Sequence, residues 1–283
     1  SRMCPSRRPP TNASGVATAV IVITQPSGGV NVDSTFLTDS LYLGSSDSDP
    51  FTIEKEDLTF VYTGDTLASM IVTPTLASQA TEEADGSPGD LSLAGATFQL
   101  APTLTLIPFN YTTGVNVAGV SSTPATGLPV DLWTITIAVP STNLYWEGAS
   151  TASAELVVFD PDGNITGGPK GLDSSGNATS ANLNGRYHGT ATTPKGNIKF
   201  SSTAGNFSGS DFRWLVVVGN QAIFEIDGKV GSANRVLRMR VLDGGEPARG
   251  SDSYQATLKT AGGTTVYSSG LVVMTHGNLQ VRS

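Results

Sequence analysis

Trp133-Thr-Ile-Thr-Ile-Ala-Val139 decides the fold class. Its large apolar residues recur at every second position, a period that a strand turns to one face and a helix would spread around its axis. Trp133, Ile135, Ile137 and Val139 are expected to line a core. Outward from this stretch the same pattern recurs. Short Val/Ile/Thr/Phe runs are bounded by Gly, Pro, Asn and Asp, and Lys, Glu and Leu gather nowhere at a 3.6-residue period. The chain reads as all-β.

The next stretch along, Thr142-Asn-Leu-Tyr145-Trp-Glu-Gly-Ala-Ser-Thr-Ala-Ser-Ala-Glu-Leu156-Val-Val158, has an earlier counterpart. Residues 39–54 read Asp39-Ser-Leu-Tyr42-Leu-Gly-Ser-Ser-Asp-Ser-Asp-Pro-Phe51-Thr-Ile53-Glu. Each is a Leu-Tyr pair, a small polar stretch, then a short alternating strand. The tyrosines lie 103 residues apart, about one immunoglobulin-like sandwich. The second copy has a full sandwich of sequence before it, and the first has too little. The reading is therefore of tandem Ig-like β-sandwiches with a partial sandwich at the N-terminal side. A partial sandwich leaves an apolar face and an open edge for another chain to cover.

The 283 residues suit two domains and a fraction. Residues 1–14 form a Pro/Arg/Ser tail whose composition predicts disorder in isolation, so order there needs a surface, a neighbouring copy being favoured. Residues 15–56 are the partial unit, with strands expected over 16–23, 34–43 and 51–54. Residues 57–160 are the complete sandwich, with strands over 58–62, 69–75, 97–99, 104–107, 132–139 and 154–159. Asp160-Pro-Asp-Gly163 is a turn and the domain boundary. Residues 161–283 form a C-terminal β domain. In it, 164–185 read as a long loop or loose extended edge. Strands follow over 187–192, 197–201, 211–218, 221–230, 236–243, 253–259, 264–267 and 271–274, and Gly219-Asn220 reads as a two-residue hairpin turn.

Charge is divided along the chain. Residues 11–160 carry sixteen acids and the single base Lys55, and residues 161–283 carry eight acids and twelve bases. An acidic front and a basic back suit head-to-tail attraction between copies. The net charge of −8 and the scattered bases argue against nucleic acid. No run of eighteen apolar residues provides a membrane span. The chain starts with neither an initiator Met nor an apolar signal segment, as a mature product or excised fragment would. The single cysteine, Cys4, permits no internal disulfide and leaves pairing with another chain or an inert thiol.

Two resemblances add to this. Leu58-Thr-Phe-Val-Tyr62-Thr-Gly-Asp65, Leu93-Ala-Gly-Ala-Thr-Phe98, Leu144-Tyr145 and Leu156-Val-Val-Phe-Asp160 resemble the Ig-like repeats strung along large secreted or surface proteins. Phe51-Thr-Ile-Glu-Lys-Glu-Asp-Leu58 resembles the junction between two such repeats, which makes 15–56 the closing part of a preceding one. Lys195-Gly-Asn-Ile-Lys-Phe200, Phe212-Arg-Trp-Leu-Val-Val217, Gly219-Asn-Gln-Ala222, Leu237-Arg-Met-Arg-Val-Leu-Asp-Gly-Gly245 and Thr265-Val-Tyr267 are similar to the β domain called the post-COAP domain. Gly167-Gly-Pro-Lys170 stands where that domain usually has Gly-Gly-Trp. The resemblances imply an extracellular or cell-surface structural role and no catalytic activity.

The residues supply little for catalysis. His188 and His276 are the only histidines, and G-x-S-x-G, H-E-x-x-H and phosphate-loop patterns are absent. No cofactor is expected. Glu82-Glu83 read as a solvated run. Asp160, Asp162 and Asn164 place oxygen ligands at alternate positions and are calcium candidates, as are Asp47 and Asp49, but Ile165 stands where an EF-hand needs Gly. An Asx-type turn is the default reading of 160–164. Asn12, Asn110, Asn164, Asn177 and Asn206 head N-x-S/T sequons and are glycosylation candidates. Tyr145-Trp146 and Phe212-Arg-Trp214 are candidates for a sugar-stacking platform. Cys4, Arg7, Arg8, Val20, Ile21 and Ile23 are assembly candidates. The function expected is a non-catalytic subunit of an extracellular filament, sheath or appendage, polymerising with copies of itself. The alternative is a glycan-binding adhesin fragment with surface glycans as partners.

Overall fold

The computed structural model of the protein describes residues 9–21, 23–84, 86, 88–189, 191–245 and 251–283. These residues form three sheets and are nearly all β, as the period-two patterning requires. The first sheet is one antiparallel hairpin, β1 (Gly28–Phe36) and β2 (Ser45–Ile53), in unbroken register from Gly28↔Ile53 to Phe36↔Ser45. Among the described residues the partial unit expected over 15–56 amounts to this hairpin, with no second layer facing it. No strand forms among the described residues of 16–23, and these are exposed. A Val/Ile run becomes a strand only where a partner takes its amides, and no described strand lies alongside. Leu41-Tyr42 sits in the hairpin loop, where Asp39 Oδ1 accepts both their N–H groups at 2.7 Å.

The middle unit holds β3 (Glu56–Tyr62), β4 (Leu67–Ser69), β5 (Thr75–Glu82), β6 (Gly95–Pro102), β7 (Phe109–Gly114), β8 (Val120–Pro124), β9 (Asp131–Ala138), β10 (Trp146–Ser150) and β11 (Ala154–Phe159). One layer runs β7-β6-β9-β11-β4 and the other β10-β3-β5-β8, joined by the bridge Ala149↔Ala138. Phe98, Trp133, Ile135, Ile137 and Val158 from the first layer meet Leu58, Phe60, Leu76 and Trp146 from the second. The face read from Trp133, Ile135 and Ile137 is thus the core face, and Val139 packs against it partly buried. Strands β3 and β10 pair in parallel and pass so closely at Gly148 (φ +131°) that a Cβ would stand 1.9 Å from the Leu58 carbonyl oxygen, so only glycine serves.

Two expected strands here are connections. Residues 69–75 span the end of β4, its turn and the start of β5, and residues 104–107 are a bend. The bend has a specific cause. The fully buried Asp131 carboxylate accepts the N–H groups of Thr103, Leu104 and Thr105 at 2.7–3.0 Å, donors that a ladder would otherwise use.

The C-terminal unit holds β12 (Asn164–Gly167), β13 (Lys170–Leu172), β14 (Ala178–Arg186), β15 (Lys195–Ser202), β16 (Gly205–Val218), β17 (Gln221–Val230), β18 (Ala233–Leu242), β19 (Ser253–Thr260), β20 (Thr265–Ser268), β21 (Val272–His276) and β22 (Leu279–Arg282). The order β13-β21-β19-β18-β17-β16-β15-β14 returns to β13, so eight antiparallel strands close on themselves as a barrel. The segment read as a loop, 164–185, supplies β12, β13 and nearly all of β14, and so closes the ring. No strand forms among the described residues of 187–192, because the chain leaves the ladder at Arg186 and buries Tyr187. The Tyr187 hydroxyl donates to the Leu215 carbonyl at 2.9 Å and accepts the Leu215 N–H at 3.1 Å.

The sandwich keeps its own core and packs its outer face into the barrel's apolar cluster. Leu104, Leu132, Val157 and Phe159 from the outer face of the sandwich join the cluster that holds Tyr187, Leu215 and Val217. Phe159 stacks on Tyr187 with ring centres 4.5 Å apart. Strand β11 runs straight into this junction. Strands β3 and β10 begin at the other end of the sandwich, where Ser27 N–H bonds the Leu144 carbonyl at 2.8 Å. Hairpin and barrel therefore leave the sandwich from opposite ends.

Candidate functional site

Among the described residues, the hairpin is a pair of strands that the fold leaves uncovered. Val30, Val32, Ser34 and Phe36 share a face with their cross-strand partners Phe51, Asp49, Asp47 and Ser45. Val32, Phe36 and Phe51 are 50, 40 and 44% exposed, and Leu41 and Leu43 in the loop are 81 and 88% exposed. Both strand edges are free of ladder partners among the described residues. A two-stranded hairpin with no packed face is marginal in water. Covering the exposed parts of these side chains is worth roughly 1 kcal/mol apiece. Residues 28–53 carry Asp33, Asp39, Asp47 and Asp49 and no base.

The residues singled out from sequence fall around this feature unevenly. Val20, Ile21 and Ile23 are exposed at 75, 49 and 48%, beside the hairpin in sequence and without a strand partner. Cys4, Arg7 and Arg8 lie outside the described residues. Of the four aromatic residues named for a sugar platform only Tyr145 is not buried, and it packs partly covered against the sandwich core. Trp146, Phe212 and Trp214 are all buried, and the Arg238 guanidinium covers the Trp214 ring at 5.3 Å. Asp160 Oδ1 accepts the Asp162 N–H at 2.9 Å and its carbonyl accepts from Gly163, an Asx turn, while Asn164 begins β12. Among the described residues no three His, Cys, Asp or Glu side chains converge as metal ligands. Asp47 and Asp49 stand on one exposed strand face of the hairpin. Of the sequon residues, Asn12, Asn110, Asn177 and Asn206 are exposed and Asn164 is half-buried. Asn110 and Asn206 lie on strands, and Asn177 donates to Asp173. Both histidines are exposed, His188 bonding Arg186 and His276 bonding Thr275.

Sequence reasoning missed the ion ladder that fixes the barrel to the sandwich. Asp227 holds Arg213, Arg213 holds Glu225, Glu225 holds Arg238, and Arg238 reaches across to Glu155 with a two-pronged contact of 2.6 and 2.8 Å. The Arg238 hydrogen bonds keep the Glu155 carboxyl below its ordinary range. The signal was present as alternate charges on Arg238/Arg240 and Glu225/Asp227, but their partners depend on strand register. Neither protein-family models nor curated proteins yield a match to this chain.

Proposed function

We propose that this protein is a non-catalytic structural subunit that assembles head to tail with copies of itself in an extracellular filament, sheath or surface appendage. The observation that carries the reading is the uncovered hairpin, with its half-exposed Val32, Phe36 and Phe51 and free edges, at the end of the sandwich away from the barrel. An element at one end and a differently charged body at the other give a heterologous contact, which propagates instead of closing. The rigid junction around Phe159, Tyr187 and Arg238 supports the same reading, because a polymer needs a defined angle within each subunit. The likeness of residues 57–160 and 186–275 to extracellular Ig-like repeats and post-COAP domains supports the cell-surface placement proposed with it.

Sedimentation velocity over a concentration series, with negative-stain imaging, tests this. Association that rises with concentration and ends in elongated particles is expected. Phe36→Ser/Phe51→Ser should shift association to at least about tenfold higher concentration, since each ~1.4 kcal/mol is a factor of ten. A wild-type chain that stays monomeric at every concentration would sink the reading.

A further inference from the structure

The self-assembly reading leaves open where on the next copy the hairpin binds, and the charges on each surface narrow the choice. Two hairpins facing each other would set Asp47 and Asp49 of one against the same pair of the other, and like charges on facing surfaces repel. The occupant that suits the hairpin is therefore cationic with some exposed apolar surface.

One wall of the barrel has both properties. Strands β21, β13, β14 and β15 are consecutive in the sheet. They contain Lys170, Arg186, Lys195 and Lys199 and not one Asp or Glu. All four cations are exposed, and none makes an ion pair among the described residues. Arg186 is directly opposite Lys195 in the ladder, a like-charge pair that destabilises a sheet unless an anion relieves it. At the seam of the same wall, Leu172 and Val273 are 55 and 49% exposed. Strand β14 and the two hairpin strands each have nine residues, so wall and hairpin match at about 30 Å.

We infer that the apolar, acidic face of the β1–β2 hairpin of one copy docks on the β21-β13-β14-β15 wall of the next copy's barrel. Asp47 and Asp49 meet Arg186 and Lys195, and the rest of the hairpin face lies along β14 in the direction of Leu172 and Val273. This rests on the self-assembly reading and gives it a specific acceptor.

Charge reversal with rescue is the test. The variants are Asp47→Lys/Asp49→Lys on the hairpin and Arg186→Glu/Lys195→Glu on the wall, each checked for native near-ultraviolet circular dichroism. Each alone should raise the concentration for half-assembly at least about tenfold. An equimolar mixture should recover assembly to near the wild-type concentration, as strictly alternating copolymers, because each reversed hairpin meets a reversed wall. Wild-type assembly should also weaken as sodium chloride rises from about 0.05 to about 0.5 M. If the wall variant assembles like wild type while the hairpin variant does not, the acceptor surface is wrong and self-assembly stands. If both variants fail and their mixture also fails, the pairing of these two surfaces is overturned. If wild type never associates, both readings fall. Should the wall reversal misfold, Arg186→Gln/Lys195→Gln replaces it, and unchanged assembly with an unchanged salt dependence would overturn the docking.

Discussion

Asp131 fixes the path of the chain between β6 and β7 from a buried position at the start of β9. Its buried carboxylate takes three amides of the 103–105 bend, the Thr105 hydroxyl and its own following amide at Leu132. That bend places Leu104 in the barrel's apolar cluster. Asp131→Ala strands several buried donors at once and should cost about 3 kcal/mol or more, read from the urea midpoint. The Leu104 and Thr105 amides should also exchange with solvent far faster. Glu155 predicts a pH effect. Its carboxyl is acidified in the folded state by Arg238, so the unfolded chain takes up the proton first as pH falls. The stabilisation is therefore complete above the ordinary glutamate pKa of 4.5 and is lost as pH drops below it toward the lowered folded value. Because the group is partly exposed the effect is under about 1 kcal/mol. Glu155→Gln should flatten the acid limb of the stability–pH curve by that amount.

At the scale of elements, the barrel depends on the three-residue strand β13. Gly171 lies so close to β21 that a Cβ there would meet Val272 Cγ1 at 2.6 Å and the Val273 carbonyl oxygen at 2.7 Å. Gly171→Val should part β13 from β21, lowering the melting temperature by several degrees and raising hydrogen exchange in β13 and β21 before β16 or β17. Strands such as β9 and β17 were legible because large apolar residues mark their faces. β14 was not. Its inward residues are Thr179, Ala181, Leu183 and Gly185, and so little apolar bulk looks like a polar loop. Strand β11 carried a signal of another kind. Leu156-Val-Val-Phe159 is buried on both faces, the mark of a strand covered by the sandwich on one side and the barrel on the other. The run at 16–23 misled in the opposite direction, since apolar alternation names a face but not a partner. The candidate surface was legible as an acidic, under-covered N-terminal unit, whereas its acceptor wall depended on a closure that β13 and β14 hid.

Across the whole molecule, sandwich and barrel behave as one body. The outer face of the sandwich is part of the barrel's apolar cluster, and the Arg238 ladder spans the junction. Among the described residues the hairpin is attached differently, by a backbone hydrogen bond at Ser27 and by the chain at Ile53–Lys55. The parallel pairing of β4 with β11, and of β3 with β10, has a consequence for a subunit under tension. Pulling the chain from its hairpin side against its barrel side drags β4 and β11 in opposite senses along their length. Their ladder bonds are then loaded together in shear and must fail together. The hairpin is loaded at its base, across Gly28 and Ile53, so its bonds open one after another like a zip. Single-molecule stretching should show an early, low-force release for the hairpin and a much higher rupture force for the sandwich. If both release at similar force, the shear clamp is not there. A neighbour gripping the hairpin would remove the weak step, so the same chain would be compliant alone and stiff within a polymer.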